Sequence, residues 1–390
     1  MLREEESITN TGTEDGENSI FFHVLKKTGG GSVRDYTPDV ETKEELIMDR
    51  QRVGVVGAGI YGYNHLKAFS TCEEAELCAV CDLNPELRAK VEAEFGVHTY
   101  ESVDEMIEQE HLDAVTVATP DCYHKDPALS AIRHGIPVLI EKPLATTLQD
   151  AREIIAEAKK YNVRVAVDYH KRWDPASIAI KNRLADPKCG APIRGYMSMD
   201  DIIDVPTKWF KWSNNSSPVH FLGTHCYDLI RWYMGCEVTQ VYAVGHKGYL
   251  SSLGADTLDS ATAILTFENG CTWTVENSWI LPDGFSKNND GRTQIITEHE
   301  LLRVDSQYRG VEIYNEQKYG TPNYVFMQEF NGRAIGFGYN PMYDFLRCLR
   351  TGEPFLADTT DGIEAEKIAE AVHESIETGK TVTIEREKSE

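Results

Sequence analysis

The sequence predicts an α/β fold in two parts, a doubly wound parallel sheet followed by an α+β domain with a large, mostly antiparallel open sheet. Three observations predict it. Arg52 to Val56 is a compact β-branched run, followed by Gly57, Gly59 and Gly62 and then by an amphipathic stretch, which reads as a buried parallel strand turning tightly into a helix. From there to residue 173, strand-like and helix-like segments alternate, the signature of parallel strands joined by crossover helices. Beyond Asp174-Pro175 the strand-like segments follow one another, two of them joined by Asn269-Gly270, a strong hairpin signal.

Taken in order, residues 1–50 are polar and acidic, with three glycines at 29–31 and one apolar patch, Ser19 to Leu25. They read either as a disordered extension or as an arm whose Phe21, Phe22 and Leu25 dock on this or a neighbouring subunit. Residues 51–173 form the Rossmann part. Six strands are expected and five are located, at 52–56, 76–81, 112–118, 138–140 and 163–167. Helices are expected at 60–70, at 85–95 with Pro85 in the first turn, at 103–110, at 127–134 closed by Gly135, and at 148–161. Ligands of such a sheet bind at the carboxyl ends of its strands. Residues 174–390 form the second domain. A helix is expected at about 175–186, an extended stretch at 193–203 and a helix at 227–234. Strands follow at 239–245, 258–267, 271–279, 292–297, 301–305 and 310–314. Helices at 341–350 and 361–378 and a strand at 381–384 close the chain.

The 390 residues carry 39 Lys and Arg against 63 Asp and Glu, a net charge of −24, and the sequence pI is near 4.9. Such acidity argues against nucleic acid or an anionic membrane as partner, since both need positive patches. No apolar run approaches the ~18 residues of a membrane span, and the acidic N-terminus is neither a secretory signal nor a transit peptide. Nine cysteines, an odd number scattered along a long chain, read as reduced thiols in a cytoplasmic protein. Cys78 and Cys81 make a C-x-x-C on an expected strand with no second Cys/His pair nearby, so no metal is expected.

Gly57, Gly59 and Gly62 stand at G-x-G-x-x-G spacing, and Asp82 ends the second strand about twenty residues on, as the dinucleotide fingerprint requires. Gly57 permits the turn, Gly59 lets a pyrophosphate approach the backbone, and Gly62 lets the helix pack close to the strand. The helix opening at Ile60 and Tyr61 aims free N–H groups and its positive dipole end at those phosphates. Asp82 can accept both ribose hydroxyls and repels a 2′-phosphate; Leu83 and Asn84 follow with no basic pair, so NAD is favoured over NADP. Thr119, Pro120 and His124, and then Glu141-Lys142-Pro143, sit just past later strands at the same edge, where they too are candidates for the cofactor. Lys142 can hydrogen-bond a substrate hydroxyl and pass its proton if desolvation or a nearby positive charge lowers its pKa. His170 and Arg172 follow the last strand of the sheet, where His170 can reach a nicotinamide or a substrate. His225 and Asp228, three apart at a helix start, share one face, so Asp228 can orient the imidazole. Trp209, Trp212 and His220 lie in the loop before them, and aromatic faces beside polar groups suit a sugar ring. Bland readings stand beside these: a surface lysine at a turn, a capping Asp with a satisfied histidine, aromatic packing.

Together these residues resemble the Gfo/Idh/MocA oxidoreductases, over residues 51–386. The matching stretches are GVVGAGIYGYNH, ATPDCYH at 118–124, EKPLATT at 141–147, DYHKRWDPA at 168–176, GTHCYDLIRW at 223–232 and IETGKTV at 376–382. The resemblance implies a Rossmann domain that holds the nicotinamide and a second domain that binds substrate and, through its open sheet, makes homo-oligomers, dimers or tetramers. It makes Lys142 the catalytic lysine and His225 the catalytic histidine, puts His170 near the nicotinamide, and puts a cis peptide at Pro143. One departure stands out: the family's D-x-G-x-H is FLGTH here, with Phe221 in place of the carboxylate. His220, Asp168, Asp200 and Asp201 are the candidates to replace it. The expected activity is NAD-dependent hydride transfer to or from a secondary alcohol of a sugar, cyclitol or glycoside. Two alternatives are transient oxidation by tightly bound NAD in an epimerase, lyase or glycosidase, and a non-catalytic NAD-binding subunit.

Overall fold

A computed structural model describes residues 50–385 apart from 315, 317, 318 and 321. The expected N-terminal extension, with Phe21, Phe22 and Leu25, lies outside the described residues, Arg50 apart. The first part alternates β1 (Gln51–Val56), α1 (Ile60–Thr71), β2 (Ala75–Cys81), α2 (Pro85–Phe95), β3 (His98–Tyr100), α3 (Val103–Glu110), β4 (Ala114–Val117), α4 (Lys125–Arg133), β5 (Val138–Glu141), α5 (Leu148–Tyr161) and β6 (Val165–Asp168). All six strands are parallel, in the order β3-β2-β1-β4-β5-β6. The strand absent from the sequence reading is β3, an edge strand of three residues with no buried member, too short and too exposed to show a hydrophobic pattern.

Local chemistry sets the helix limits. Asn84 caps α2 by accepting from the Glu86 N–H at 2.9 Å, Pro85 takes the first position, and Gly96 ends the helix in the left-handed region. Thr147 caps α5 in the same way.

The chain continues through α6 (Pro175–Leu184), β7 (Pro192–Ile202), α7 (Thr224–Met234), β8 (Val238–Lys247), the single turn α8 (Tyr249–Ser252), β9 (Leu258–Phe267), β10 (Thr272–Leu281), β11 (Asn289–Thr297) and β12 (Leu301–Asp305). Two short hairpins follow, β13 (Ile313–Tyr314) with β14 (Tyr319–Gly320) and β15 (Gln328–Phe330) with β16 (Arg333–Ile335). The end is α9 (Asn340–Thr351), α10 (Thr359–Thr378) and β17 (Val382–Thr383). The second sheet runs β12-β11-β7-β10-β9-β8-β17 and is antiparallel except between β7 and β10. The strand expected at 310–314 is not part of it. Arg309 is pinned to Asp174 by two hydrogen bonds, 3.0 and 2.7 Å, and Gly310, at φ +99°, turns the chain away from the sheet's edge.

The inner face of the second sheet presents Val241, Leu265, Phe267, Trp273, Val275 and Trp279, all buried, toward α7 and α10. That core runs on without a break into the helix-covered face of the first sheet on the α3–α5 side. The opposite face of the first sheet packs on α1 and α2 and also on α9, whose Met342, Phe345 and Leu346 meet Val53, Val55 and Phe69.

Trp273 depends on Gly195 of β7, the residue beside it in register: a Cβ on Gly195 would lie 2.2 Å from the indole. Gly195→Ala is expected to destabilise the fold by ~1–3 kcal/mol through overpacking, read as a lowered midpoint of denaturant unfolding.

Candidate active site

The carboxyl edge of the first sheet opens into a cleft of about 790 Å³. Gly57, Gly59, Ile60 and Tyr61 line one end, Asp82, Leu83 and Leu87 the adjoining wall, and Thr119, Pro120, Tyr123, His124, Glu141 and Lys142 the floor toward the second domain. Gly57 stands at φ +94°, and a Cβ on Gly62 would lie 1.9 Å from the Gly57 carbonyl, so these two serve the turn and the helix packing. Gly59 is different. A Cβ there meets no protein atom within 4 Å, so the protein itself does not require the glycine. The open space fits a ligand pressed against the backbone, and the free N–H groups at the start of α1 suit a phosphate. Asp82 accepts from the N–H groups of Ala58 and Asn84, both at 2.7 Å, which fixes its carboxylate beside the glycine loop. These residues fit a dinucleotide.

At the inner end of the cleft, β5 ends at Glu141 and a cis Lys142-Pro143 bond follows, as the family resemblance implies. His124 bridges the carbonyls of Pro143 and Thr119, at 2.7 and 3.0 Å, tying the two floor loops together. The Lys142 ammonium donates to the Phe221 carbonyl at 3.0 Å and lies 3.7 Å from the centre of the Phe221 ring. Position 221 therefore holds the lysine through a backbone oxygen and a π face. Phe221 also packs on Phe210, Trp212 and Trp279; together with Trp209 and Trp212 it gives the cleft an aromatic wall.

Beneath this wall the imidazoles of His170 and His225 meet with centroids 4.7 Å apart. Both are buried, and Nδ1 of each lacks a hydrogen-bond partner. Burial first, then the charges of Lys142, His170 and Lys171, hold His225 well below its ordinary pKa; burial, Lys171 and Lys142 do the same for His170. Tyr61 stacks on His170 from α1, and Phe326 and Phe337 cover it from the C-terminal hairpins. On the sheet side, Asp168 lies 3.8 Å from His170 Nδ1, while His65 Nε2 lies 3.1 Å from Glu141. Burial and the Glu141 charge push the Asp168 carboxyl well above its usual range.

Four expected substrate residues, Arg172, Asp228, His220 and His170, do not line the cleft. Arg172 and Asp228 pair with each other: Nε and one Nη donate to the two carboxylate oxygens at 3.0 and 2.6 Å, and both side chains are buried. Asp228 thus orients Arg172 rather than His225; the two share a helix face in spacing, but the buried guanidinium claims the carboxylate. His220 faces α10, where it stacks on His373 and lies 3.2 Å from Glu366. A wide turn at Val219–Gly223 leads straight into α7, so Phe221 and His220 face different sides. Trp209 and Trp212 do line the cleft, whereas His170 and His225 are not among its lining residues. Phe210, Tyr123 and Leu87 belong to the cleft and were not read from the sequence. Leu83 beside Asp82 and Tyr123 are 78% and 56% exposed, large apolar side chains of the cleft with no core to enter.

Residues 51–169 match the oxidoreductase family with NAD-binding Rossmann fold, GFO_IDH_MocA, and residues 178–303 match the GFO/IDH/MocA C-terminal domain. The chain belongs to the Gfo/Idh/MocA oxidoreductases. An inositol 2-dehydrogenase of Rubrobacter xylanophilus is 30% identical over 260 residues, 66% of this chain and 72% of that protein. A D-apiose dehydrogenase of Paraburkholderia graminis is 29% identical over 351 residues, 88% of this chain and 92% of that protein. Among solved structures, scyllo-inositol dehydrogenase from Lactobacillus casei, with bound NAD(H) and scyllo-inositol, superposes with a TM-score of 0.73 at 22% identity, over 86% of this chain and 99% of that one. This member of the family is an NAD-binding oxidoreductase, and neither the transient-redox nor the non-catalytic alternative is favoured.

Two outcomes separate ligand from scaffold. Gly59→Ala is expected to weaken NAD binding at least about tenfold while shifting stability by under about 0.5 kcal/mol, as for surface changes without protein contacts; fluorescence titration and thermal melting read the two. Asp228→Ala should do the reverse, costing ~3–5 kcal/mol by stranding a buried Arg172 and leaving the NAD affinity of the folded fraction unchanged.

Proposed function

We propose that the protein is a dehydrogenase of a polyol, oxidising one secondary alcohol of a sugar or cyclitol with NAD. The observation that carries this reading is one continuous cleft, lined from the glycine loop at Gly59 to Lys142 and by Trp209, Trp212 and Phe221, with the buried pair of His170 and His225 beside the charge of Lys142. Relatives named for inositol and D-apiose support the substrate class.

In this reading the glycine loop and Asp82 would hold NAD, which when bound would supply the hydride acceptor for the substrate carbon. The aromatic faces of Trp209, Trp212 and Phe221 seat the ring of the polyol. The substrate hydroxyl lies between His225 and Lys142. His225 is the base: an imidazole kept neutral by burial and by neighbouring cations is ready to take the hydroxyl proton at neutral pH. Lys142 donates to the same oxygen and stabilises the negative charge that grows on it. The balance is complete: the O–H proton goes to His225, the C–H hydride would be taken up by bound NAD, and the carbon becomes a carbonyl. The cysteines form no disulfide among the described residues, which suits a reducing cytoplasm. The exposed Tyr242 and Ile264, paired across β8 and β9 on the outer face of the second sheet, suit a contact with a second copy of the chain.

The assay is the absorbance of reduced nicotinamide during incubation with NAD and myo-inositol, scyllo-inositol or D-apiose, with product followed by chromatography. NADH is expected to accumulate in step with a ketone or other oxidised product. Lys142→Ala should lower kcat by ~10²–10⁴ while NAD affinity stays within about threefold, since the lysine acts on the substrate oxygen. A variant that turns over like the parent would remove Lys142 from the mechanism.

A further inference from the structure

Three side chains of the kind that ligate metals meet below the cleft, each from a different element. Glu141 ends β5 and Asp168 ends β6, and the two are partners in the parallel register, so their carboxylates stand side by side. His65 reaches them from α1. Its Nε2 lies 3.1 Å from Glu141 Oε1 and 3.8 Å from Asp168 Oδ2, and one donor atom from each residue lies within 4.8 Å of the other two. His65, Glu141 and Asp168 are 0%, 4% and 0% exposed.

Hydrogen bonding accounts for Glu141 but not for Asp168. The Lys142 backbone N–H donates to Glu141 Oε2 at 3.2 Å, which leaves Oε1 to the cluster. Neither oxygen of Asp168 has a hydrogen-bond partner among the described residues. A fourth group, outside the three, points the same way. His170 Nδ1 is buried, lacks a partner and lies 3.8 Å from Asp168 Oδ1. Buried carboxylates are ordinarily paired or bound to metal, and one imidazole brings at most one positive charge to two of them. A divalent cation answers both. With bonds of ~2.0–2.2 Å to nitrogen and oxygen it sets neighbouring donors ~3–3.5 Å apart, close to the separations found here. Burial and the facing Glu141 charge, which raise the Asp168 carboxyl, are the strain that such a cation relieves.

We propose that His65, Glu141 and Asp168 form a binding site for one divalent cation of the zinc or manganese class, with His170 Nδ1 as the further donor beside Asp168. Imidazole together with carboxylate favours these ions over calcium and magnesium. Glu141 also lines the cleft, which gives the ion its way in. The bound ion would tie α1 to the ends of β5 and β6, one residue from Lys142. The proposal does not rest on the roles given to Lys142 and His225.

The test uses the untagged full chain, stripped with EDTA and desalted. ZnCl2 and MnCl2 are titrated separately by calorimetry, and the metal retained after gel filtration is measured by elemental mass spectrometry. Wild type is expected to keep about one equivalent of at least one of the two ions and to melt about 5 °C higher with it. Asp168→Asn and His65→Gln are each expected to weaken binding at least about 30-fold and to abolish that rise. Asp168→Asn removes one of two facing acids, so without metal it should melt no lower than metal-free wild type. Asp200→Asn changes an acid outside the cluster, to which Ser278 donates at 2.6 Å, and should bind as wild type does. Failure of wild type to retain either ion overturns the proposal. So does uptake that Asp168→Asn and His65→Gln leave unchanged, since the ion then sits on other carboxylates. Neither readout uses NAD or a polyol, so absence of turnover would count against the functional reading and not against this site.

Discussion

The geometry of the site depends on the buried pair of Arg172 and Asp228. Taking two charges out of water is costly unless each meets the other with good geometry and its remaining hydrogen bonds are met. Here the guanidinium forks onto both carboxylate oxygens, and its remaining donors reach Asp361 and the Leu356 carbonyl. The pair joins the turn after β6 to the middle of α7. Two residues upstream of Arg172 is His170, and three upstream of Asp228 is His225. Locking the two charges together therefore sets the imidazoles edge to face at 4.7 Å, although one lies in the turn after β6 and the other in α7, far apart in sequence.

Around that junction the protein collects ionisable groups and holds them off their ordinary protonation. Two histidines are kept neutral by burial and by the lysines beside them, while Asp168 and Asp201 are pushed the other way. A site built so is costly in stability, and groups perturbed together in a cleft are what proton transfer requires. Lys142 is the common member of these couplings. It is held from below by a strand of the first sheet and from above by the backbone of position 221, so the ammonium is fixed only when the two sheets are packed together.

Much of this was legible in the residues themselves. Strand–glycine–helix spacing located the tight turn after β1 and the Asp82 carboxylate beside it because backbone mechanics demand glycine at set intervals. The hairpin at Asn269-Gly270 and the helix limits followed from capping and turn chemistry. The short edge strand β3 escaped because three half-exposed residues carry no periodic signal. The roles of Arg172, Asp228 and His220 were misread for another reason: spacing along a helix tells which residues share a face, but only tertiary packing tells which partner claims each charge. Nothing in one dimension could rank the four candidates for the missing carboxylate, since the neighbourhood of each is assembled from elements far apart in sequence.

The return of α9 to the first sheet has a consequence for how the chain is made. Residues 51–169 contain all six parallel strands, but one face of that sheet is completed only when Met342, Phe345 and Leu346 arrive, and the edge strand β6 gains its outer neighbour only at Ala357 and Asp358. During synthesis the nucleotide-binding half emerges first with part of its apolar face uncovered, and it waits for most of the second half to leave the ribosome before it can close. The two halves are consecutive in sequence matches yet interlocked in assembly, so a cut between them removes part of the first half's own core along with the second half.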